Sequence, residues 1–399
     1  MDRDAECRDT DLVVIGGGIA GASVAYELLP HGSVIVLEQE SALGYHSTGR
    51  SAAVMSENYG PRLWSRLVSA TRGFLENPPE GFATAPLVTD RGALFLAQAH
   101  ETEQLQAQYD DLIARGARVE LVAAADALRW CEVLRAEKYA TAMYEPDCKD
   151  VDTNELMMGY QRGIRAAGGA VVTGARVTAI RRDAGGWQVE TTAGAFQGGV
   201  VVNAAGGWVQ QVAEMAGLGY RNVVPFRRTA VTFDAPAGSN LHHWPMTFDV
   251  AETFYFKPEA GKVMVSPVDM ARSEPCDAQA DEMEVAIAID RIETFTTMTV
   301  PRLSHKWGGL RTFAPDHEPV IGPDPQDAGF VWLAGQGGNG VMASAAAARL
   351  AAALAVGAGI PADIAALGIT EDAISPGRAC VLAKDDVHVG SAEAIYGAE

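Results

Sequence analysis

The sequence predicts a mixed α/β fold, an α+β composite in which a helix-covered, mostly parallel sheet is interrupted by an inserted antiparallel β-sheet. Three observations predict it. A short apolar run at residues 12–15 leads into Gly16-Gly17-Gly18-Ile19-Ala20-Gly21, then a helical apolar pattern over 20–30 and a second apolar run at 33–37. Strand, glycine turn, helix and strand in that order make a βαβ unit. Apolar runs at 223–233, 253–257 and 262–266, divided by turn residues at 236–238 and 258–261, read as a separate antiparallel sheet. The last third then returns to glycine-rich loops (308–309 and 335–340), a strand at 330–334 and a helix at 344–356.

The elements between follow in order. Residues 102–114 carry a helical pattern with Leu105, Tyr109, Leu112 and Ile113 on one side and Gly116 to end it. Residues 153–167 form a helix capped by Thr153 or Asp152 and stopped by Gly168-Gly169. Short β runs lie at 170–173, 177–181, 187–191 and 200–203, and a helix at 281–295. This alternation implies one domain in three pieces (1–80, 145–220 and 305–378) and a second domain in two (81–144 and 221–304). A tail at 379–399 lacks periodicity.

Composition narrows the function. A formal net charge of −20 disfavours nucleic acid or an anionic membrane as partner, since both call for basic surface. Five scattered cysteines without a CxxC pair point to reduced thiols in a cytoplasm rather than to disulfides or a zinc site, and no metal is expected. The acidic start has neither the basic nor the apolar region of a secretion signal. Residues 343–360 owe their hydrophobicity to alanine and are broken by Arg349, Gly357 and Gly359, so a buried helix is expected there, not a membrane span.

Gly16, Gly18 and Gly21 supply the GxGxxG spacing of a dinucleotide site in its proper setting. The first permits the tight turn, the second lets backbone approach a pyrophosphate, and the third lets helix and strand pack closely. Phosphates then meet free N–H groups and a favourable dipole at the helix N-terminus. Glu38, 22 residues after Gly16, closes the second strand where a carboxylate accepts from a ribose 2′-hydroxyl, and Gln39 follows it.

The segment Gly44-Tyr45-His46-Ser47-Thr48-Gly49-Arg50-Ser51-Ala52-Ala53 resembles the second flavin-binding stretch of the D-amino-acid oxidase superfamily, the group of glycine and sarcosine oxidases. Residues 201–208, ending in Ala205-Gly206-Gly207-Trp208, resemble its second nucleotide-side strand and turn. Residues 308–311, 315–322 and Gly335-Gln336-Gly337-Gly338-Asn339-Gly340, the last opening a helix, resemble its C-terminal flavin segments. The resemblance runs over roughly residues 11–377 and, within the superfamily, is strongest to the bacterial D-arginine dehydrogenases. It implies a Rossmann-like FAD-binding domain of the glutathione-reductase type. FAD would be held by Gly16, Gly18, Ile19, Ala20, Gly21, Glu38, Gln39, residues 47–54 (Ser47, Thr48, Gly49, Arg50, Ser51, Ala52, Ala53, Val54), Val177, Ala205, Gly206, Trp208, Gly337, Gly338, Asn339, Gly340, Val341 and Met342. Arg50 is expected to offset phosphate charge. Members with covalent flavin carry a cysteine shortly after the arginine matching Arg311; Thr312 and Phe313 stand here, so non-covalent FAD is implied.

By the same resemblance, Arg311 and Arg228 hold a substrate carboxylate, and the hydroxyls of Tyr255 and Tyr59 close the site. A guanidinium fork suits a buried carboxylate, which is costly unpaired. The pocket is expected to include Val54, Ala93, Met246, Phe248 and Gly338. Relatives that take cationic side chains place a glutamate where Ala93 stands and a histidine where Val54 stands, which implies a neutral substrate unless Glu57 or Asp90 turns inward. The expected reaction is oxidation of a small D-amino acid at Cα–N. Alternatives are a secondary amine, an N-methyl amino acid or glycine, a 2-hydroxy acid, or a flavin-binding regulatory protein without turnover. The electron acceptor and the oligomeric state are not indicated.

Overall fold

In the computed structural model, described over residues 7–384, two large sheets share the molecule. The first is mostly parallel. Strand Arg8–Ile15 lies between Gly194–Asn203 and Val34–Leu37, both parallel to it, with Ala170–Val172 beyond the latter and Asp327–Ala334 parallel to the former. The central strands are apolar on both faces because both are covered: residues 34–37 are all buried. Helix Ile19–Leu28 packs on this sheet beside helix Ser344–Ala355, whose alanines allow close approach. Among the described residues, no helix is long and apolar enough to cross a membrane.

The second sheet has nine strands. Its long strands Val224–Phe233 and Leu303–Phe313 pair antiparallel, with Arg228 opposite Gly309, Ala230 opposite Trp307 and Phe226 opposite Arg311. Met246–Asp249 runs parallel to Ala93–Ala97, the exception in an otherwise antiparallel sheet. A three-stranded sheet of Val54–Met55, Lys149–Val151 and Val88–Asp90 lies apart from the two.

Helix Thr102–Ala114 has the predicted bounds, and Asp152 and Asp281 cap the helices that follow them by accepting from backbone N–H groups. Five expectations change. Residues 308–309, read as a loop, lie inside strand Leu303–Phe313. The piece assigned to 305–378 begins too early, because Leu303–Phe313 belongs to the second sheet. Ile113 faces outward and is 46% exposed. The 335–340 glycines do not open a helix directly; a turn intervenes and the helix starts at Ser344. The tail contributes helix Ala379–Leu382, with Val381 buried and its carbonyl accepting from Asn222 N at 2.7 Å. The rest of the tail, 385–399, lies outside the described residues.

Candidate active site

A cavity of about 790 Å³ runs between the two sheets, from the first glycine turn to the pair Arg228 and Arg311. At the turn, Gly16 has φ +104°, and a Cβ there would stand 2.5 Å from Ala204 O. Gly21 is packed harder still: a Cβ would lie 1.8 Å from Gly16 O, so this glycine serves helix–strand contact and does not reach the cavity wall. Helix Ile19–Leu28 has no side-chain cap, although Thr48 Oγ1 accepts from Ile19 N at 3.0 Å. Its N-terminus faces the cavity, as an anion site requires. Glu38 Oε2 accepts from Gly17 N at 2.7 Å and Oε1 from Glu40 N at 2.8 Å. A carboxylate has about four acceptor positions, so capacity remains for a ribose hydroxyl.

Gly16, Gly18, Ile19, Ala20, Glu38, Gln39, Ser47, Thr48, Arg50, Ser51, Ala52, Val177, Ala205, Gly206, Trp208, Gly337, Gly338, Gly340 and Val341 all line this cavity, with Arg228, Arg311 and Tyr255. A helix N-terminus whose Ile19 N–H alone is taken by a side chain, an acid with spare acceptor capacity and a glycine-lined volume of this size fit FAD. Others are placed differently. Gly49 lies under the wall, where a Cβ would meet Gly44 O at 2.6 Å. Ala53, Val54 and Met342 are off the cavity; Val54 pairs with Asp150 in the small sheet. Arg50 lines the cavity, but its guanidinium is bound by Ala278 O and Gly308 O, both at 2.8 Å, and by Asp277, instead of being held ready for a phosphate.

The two arginines come from adjacent strands. Side chains alternate along a strand, so Arg228 enters the cavity while Arg227 turns away to pair with Asp281 at 3.0 Å. Arg228 Nε donates to Asp269 O at 2.8 Å, and its Nη1, buried, has no hydrogen-bond partner among the described residues. Arg311 reaches Tyr255 OH at 3.5 Å, and a Cβ on Gly338 would come within 3.1 Å of its Nη1, so that glycine makes room for the guanidinium. Burial, and then the like charge of Arg311, pull the pKa of Arg228 down to about 10. Arg311 is raised: burial opposes its charge, but Tyr255, Tyr59 and Glu252 outweigh it. Both remain cationic at neutral pH, and two buried like charges favour an anion between them.

A second chamber of about 30 Å³ adjoins the arginines, lined by Tyr59, Gly60, Pro61, Glu252, Asn339 and His317 among others, with Arg228, Arg311 and Gly338 shared between the two spaces. Tyr59 and Asn339 are therefore in this chamber and not on the main cavity. The expected side-chain pocket is corrected more sharply. Ala93 is fully buried between Glu145 and Met246, and Met246 and Phe248 do not line either space. Phe248 instead backs the tyrosines, its ring centroid 5.5 Å from Tyr59 and 5.9 Å from Tyr255. Glu57 pairs with Arg72, and Asp90 with Lys149 at 2.7 Å, so neither turns inward. Gly309, within the 308–311 stretch read from the sequence, lines the floor together with Ala230, Met264 and Trp307, which were given no pocket role there. Counting by two from Arg228 and Arg311 would have found Ala230 and Trp307.

Comparison with known proteins agrees with this geometry. The chain is 25% identical to mouse (Mus musculus) mitochondrial dimethylglycine dehydrogenase over 370 residues, covering 83% of this chain but only 40% of that protein. It is 24% identical to glycine oxidase of Geobacillus kaustophilus over 347 residues, 84% of this chain and 89% of the relative. The crystal structure of Geobacillus glycine oxidase superposes with a TM-score of 0.77 at 21% identity, over 95% of this chain and all (100%) of that one. L-proline dehydrogenase from P. horikoshii gives 0.74 at 20% identity, over 87% of this chain and 93% of that one. Residues 11–354 match the DAO family of FAD dependent oxidoreductases, and the chain belongs to that family.

Proposed function

We propose that the protein oxidises the Cα–N bond of a small, neutral α-amino acid of D configuration, giving an imino acid that water converts to a 2-oxo acid and ammonia. The observation that carries this reading is the pair of guanidiniums lining the cavity, buried Arg228 and partly buried Arg311, the former with an N–H that has no partner among the described residues. FAD, held non-covalently by the residues of the glycine turn and the 47–52 segment, supplies the acceptor for the hydride that leaves Cα. The chain's own part is to bind and orient. Arg311 and Arg228 fix the carboxylate, which restricts Cα to one position in the cavity. Tyr255, in contact with Arg311, and Tyr59, against Phe248, narrow the space around the head group and exclude water. The floor made by Ala230, Met264 and Trp307 offers a side chain no ionic partner. That favours neutral side chains, in line with Glu57 and Asp90 being engaged elsewhere. The relatives named for glycine, dimethylglycine and proline support amino-acid or amine chemistry of this class.

The test is anaerobic bleaching of the FAD-loaded protein by a panel of D-, L- and N-methyl amino acids and 2-hydroxy acids. Bleaching by small neutral D-amino acids is expected, with arginine and lysine poor. Arg311→Ala should slow bleaching by about a thousandfold, the effect of losing a charge-assisted bidentate contact worth some 3–5 kcal/mol, with the flavin spectrum unchanged. Undiminished bleaching of Arg311→Ala would remove the carboxylate placement.

A further inference from the structure

The small chamber beside the arginines holds two polar atoms that need partners of opposite kind. Arg228 Nη1 is a donor and Asn339 Oδ1 an acceptor; both are buried with no partner among the described residues, on side chains 8% and 5% exposed. Asn339 is held by its backbone, whose N donates to Gln336 O at 2.8 Å and whose O accepts from Ala343 N at 3.0 Å. Its amide lies over Gly60, where a Cβ would stand 3.0 Å from Oδ1; with φ +89°, that glycine lets the Tyr59 loop close on the amide. An unsatisfied buried donor and acceptor each carry a desolvation cost that a suitable ligand removes. At about 30 Å³ the chamber admits roughly two water-sized atoms, room for the amine nitrogen and one carboxylate oxygen, with the rest of the substrate in the main cavity.

We infer that Asn339 Oδ1 is the acceptor for the substrate's amine N–H, and that this contact selects primary and secondary amines against tertiary ones. The inference rests on the carboxylate-clamp reading above. An α-amino acid presents, on adjacent carbons, the acceptor that Arg228 lacks and the donor that Asn339 lacks. The nitrogen must be unprotonated to release a hydride from the neighbouring carbon, so its lone pair is committed and only an N–H is left to donate. Primary and secondary amines have one. A neutral N,N-dialkyl amine has none and leaves Oδ1 buried and unpaired.

The probes are pyrrole-2-carboxylate and furan-2-carboxylate, ring isosteres that differ in carrying N–H or O beside the carboxylate. Each is titrated at equilibrium into the FAD-loaded protein and read by the shift in flavin absorbance, without turnover. The pyrrole should bind about tenfold tighter, the worth of one buried hydrogen bond. Asn339→Leu should bring the two affinities level, while Asn339→Asp, which keeps an oxygen acceptor, should preserve the preference. Equal affinities in the unaltered protein, or a preference surviving in Asn339→Leu, overturn the inference while leaving the clamp standing. Failure of both probes to bind overturns the clamp and the inference with it. A check that needs no variant compares N-methylglycine with N,N-dimethylglycine as anaerobic reductants; the secondary amine should be about tenfold faster, and equal rates count against Asn339.

Discussion

Glu145 illustrates how far a single buried group can govern this molecule. Its carboxyl is 1% exposed, shares the one hydroxyl proton of Ser56 between its two oxygens at 2.9 and 3.0 Å, and has its pKa pushed up by burial to about 7. A carboxyl held above its ordinary value binds a proton more readily folded than unfolded. Its contribution is therefore complete below pH ~4.5 and is lost as pH rises through about 7, a swing of about 3 kcal/mol. Glu145→Gln should abolish that swing: its denaturation midpoint, set against the unaltered protein's, should gain between pH 5 and 8 and not below. Parallel pH profiles for the two proteins would show that Glu145 stays ionised in the fold. At this scale the sequence disclosed the residues whose chemistry depends on local pattern. Gly16 and Gly18 follow from strand–turn–helix spacing; alternation puts Arg227 and Arg228 on opposite faces, and the family resemblance chose Arg228. It concealed residues whose role depends on what lies opposite. Ala93 is adjacent in space to Met246 and Glu145, not to the arginines, and nothing within residues 89–94 indicates that.

Among the elements, the segment linking strand Ala271–Arg272 to helix Glu282–Phe295 acts as a strap over the cavity, with Pro275, Cys276 and Asp277 in the wall. Arg50 fastens it through Ala278 O and Asp277, and Tyr45 lies 5.4 Å below the guanidinium. Gly308 lets the strap close, since a Cβ there would meet Gln279 O at 2.6 Å. Asp277 is about half exposed, so its ion pair contributes at most about 1 kcal/mol to global stability. Local opening should respond more. Asp277→Ala is expected to change the unfolding midpoint little while raising protease cleavage within 273–280 several-fold, mapped by mass spectrometry. Unchanged cleavage there would mean that the strap is held by packing alone. The same glycine explains a gap in the sequence reading. Gly308-Gly309 read as a loop, yet they sit inside strand Leu303–Phe313, where missing side chains admit the strap on one face and leave floor space on the other. Helix 153–166 was legible because cap, apolar spacing and stop agreed within the segment, and helix 102–114 from its spacing and its Gly116 stop alone.

At the scale of the whole molecule, the site exists only while the two sheets keep their spacing, because the glycine turn belongs to one and the arginines to the other. Asp150, on the small third sheet, helps fix the second sheet in place. It accepts from Arg91 Nε at 2.7 Å and from Lys257 Nζ at 2.9 Å, and Arg91 also donates to the carbonyls of Leu241 and Trp244 at 3.1 and 2.9 Å. Lys257 is 3% exposed, and its other carboxylate partner, Glu259 at 3.0 Å, is partly solvated. Removing Asp150 thus leaves a buried ammonium half-paired, at a cost of about 3 kcal/mol. Asp150→Ala should lower the unfolding free energy obtained from urea denaturation by that amount and weaken FAD binding in the folded protein, because Val54 pairs with Asp150 in the strand that follows the 47–53 segment. Adding Lys257→Met should restore much of the stability by removing the charge that was stranded. If the double variant is as unstable as the single one, the loss comes from the backbone of strand Lys149–Val151 and not from the ion pair. If FAD affinity is untouched while stability falls, the cavity is held open by the apolar contact between the sheets, and the polar network serves only to keep the second sheet folded.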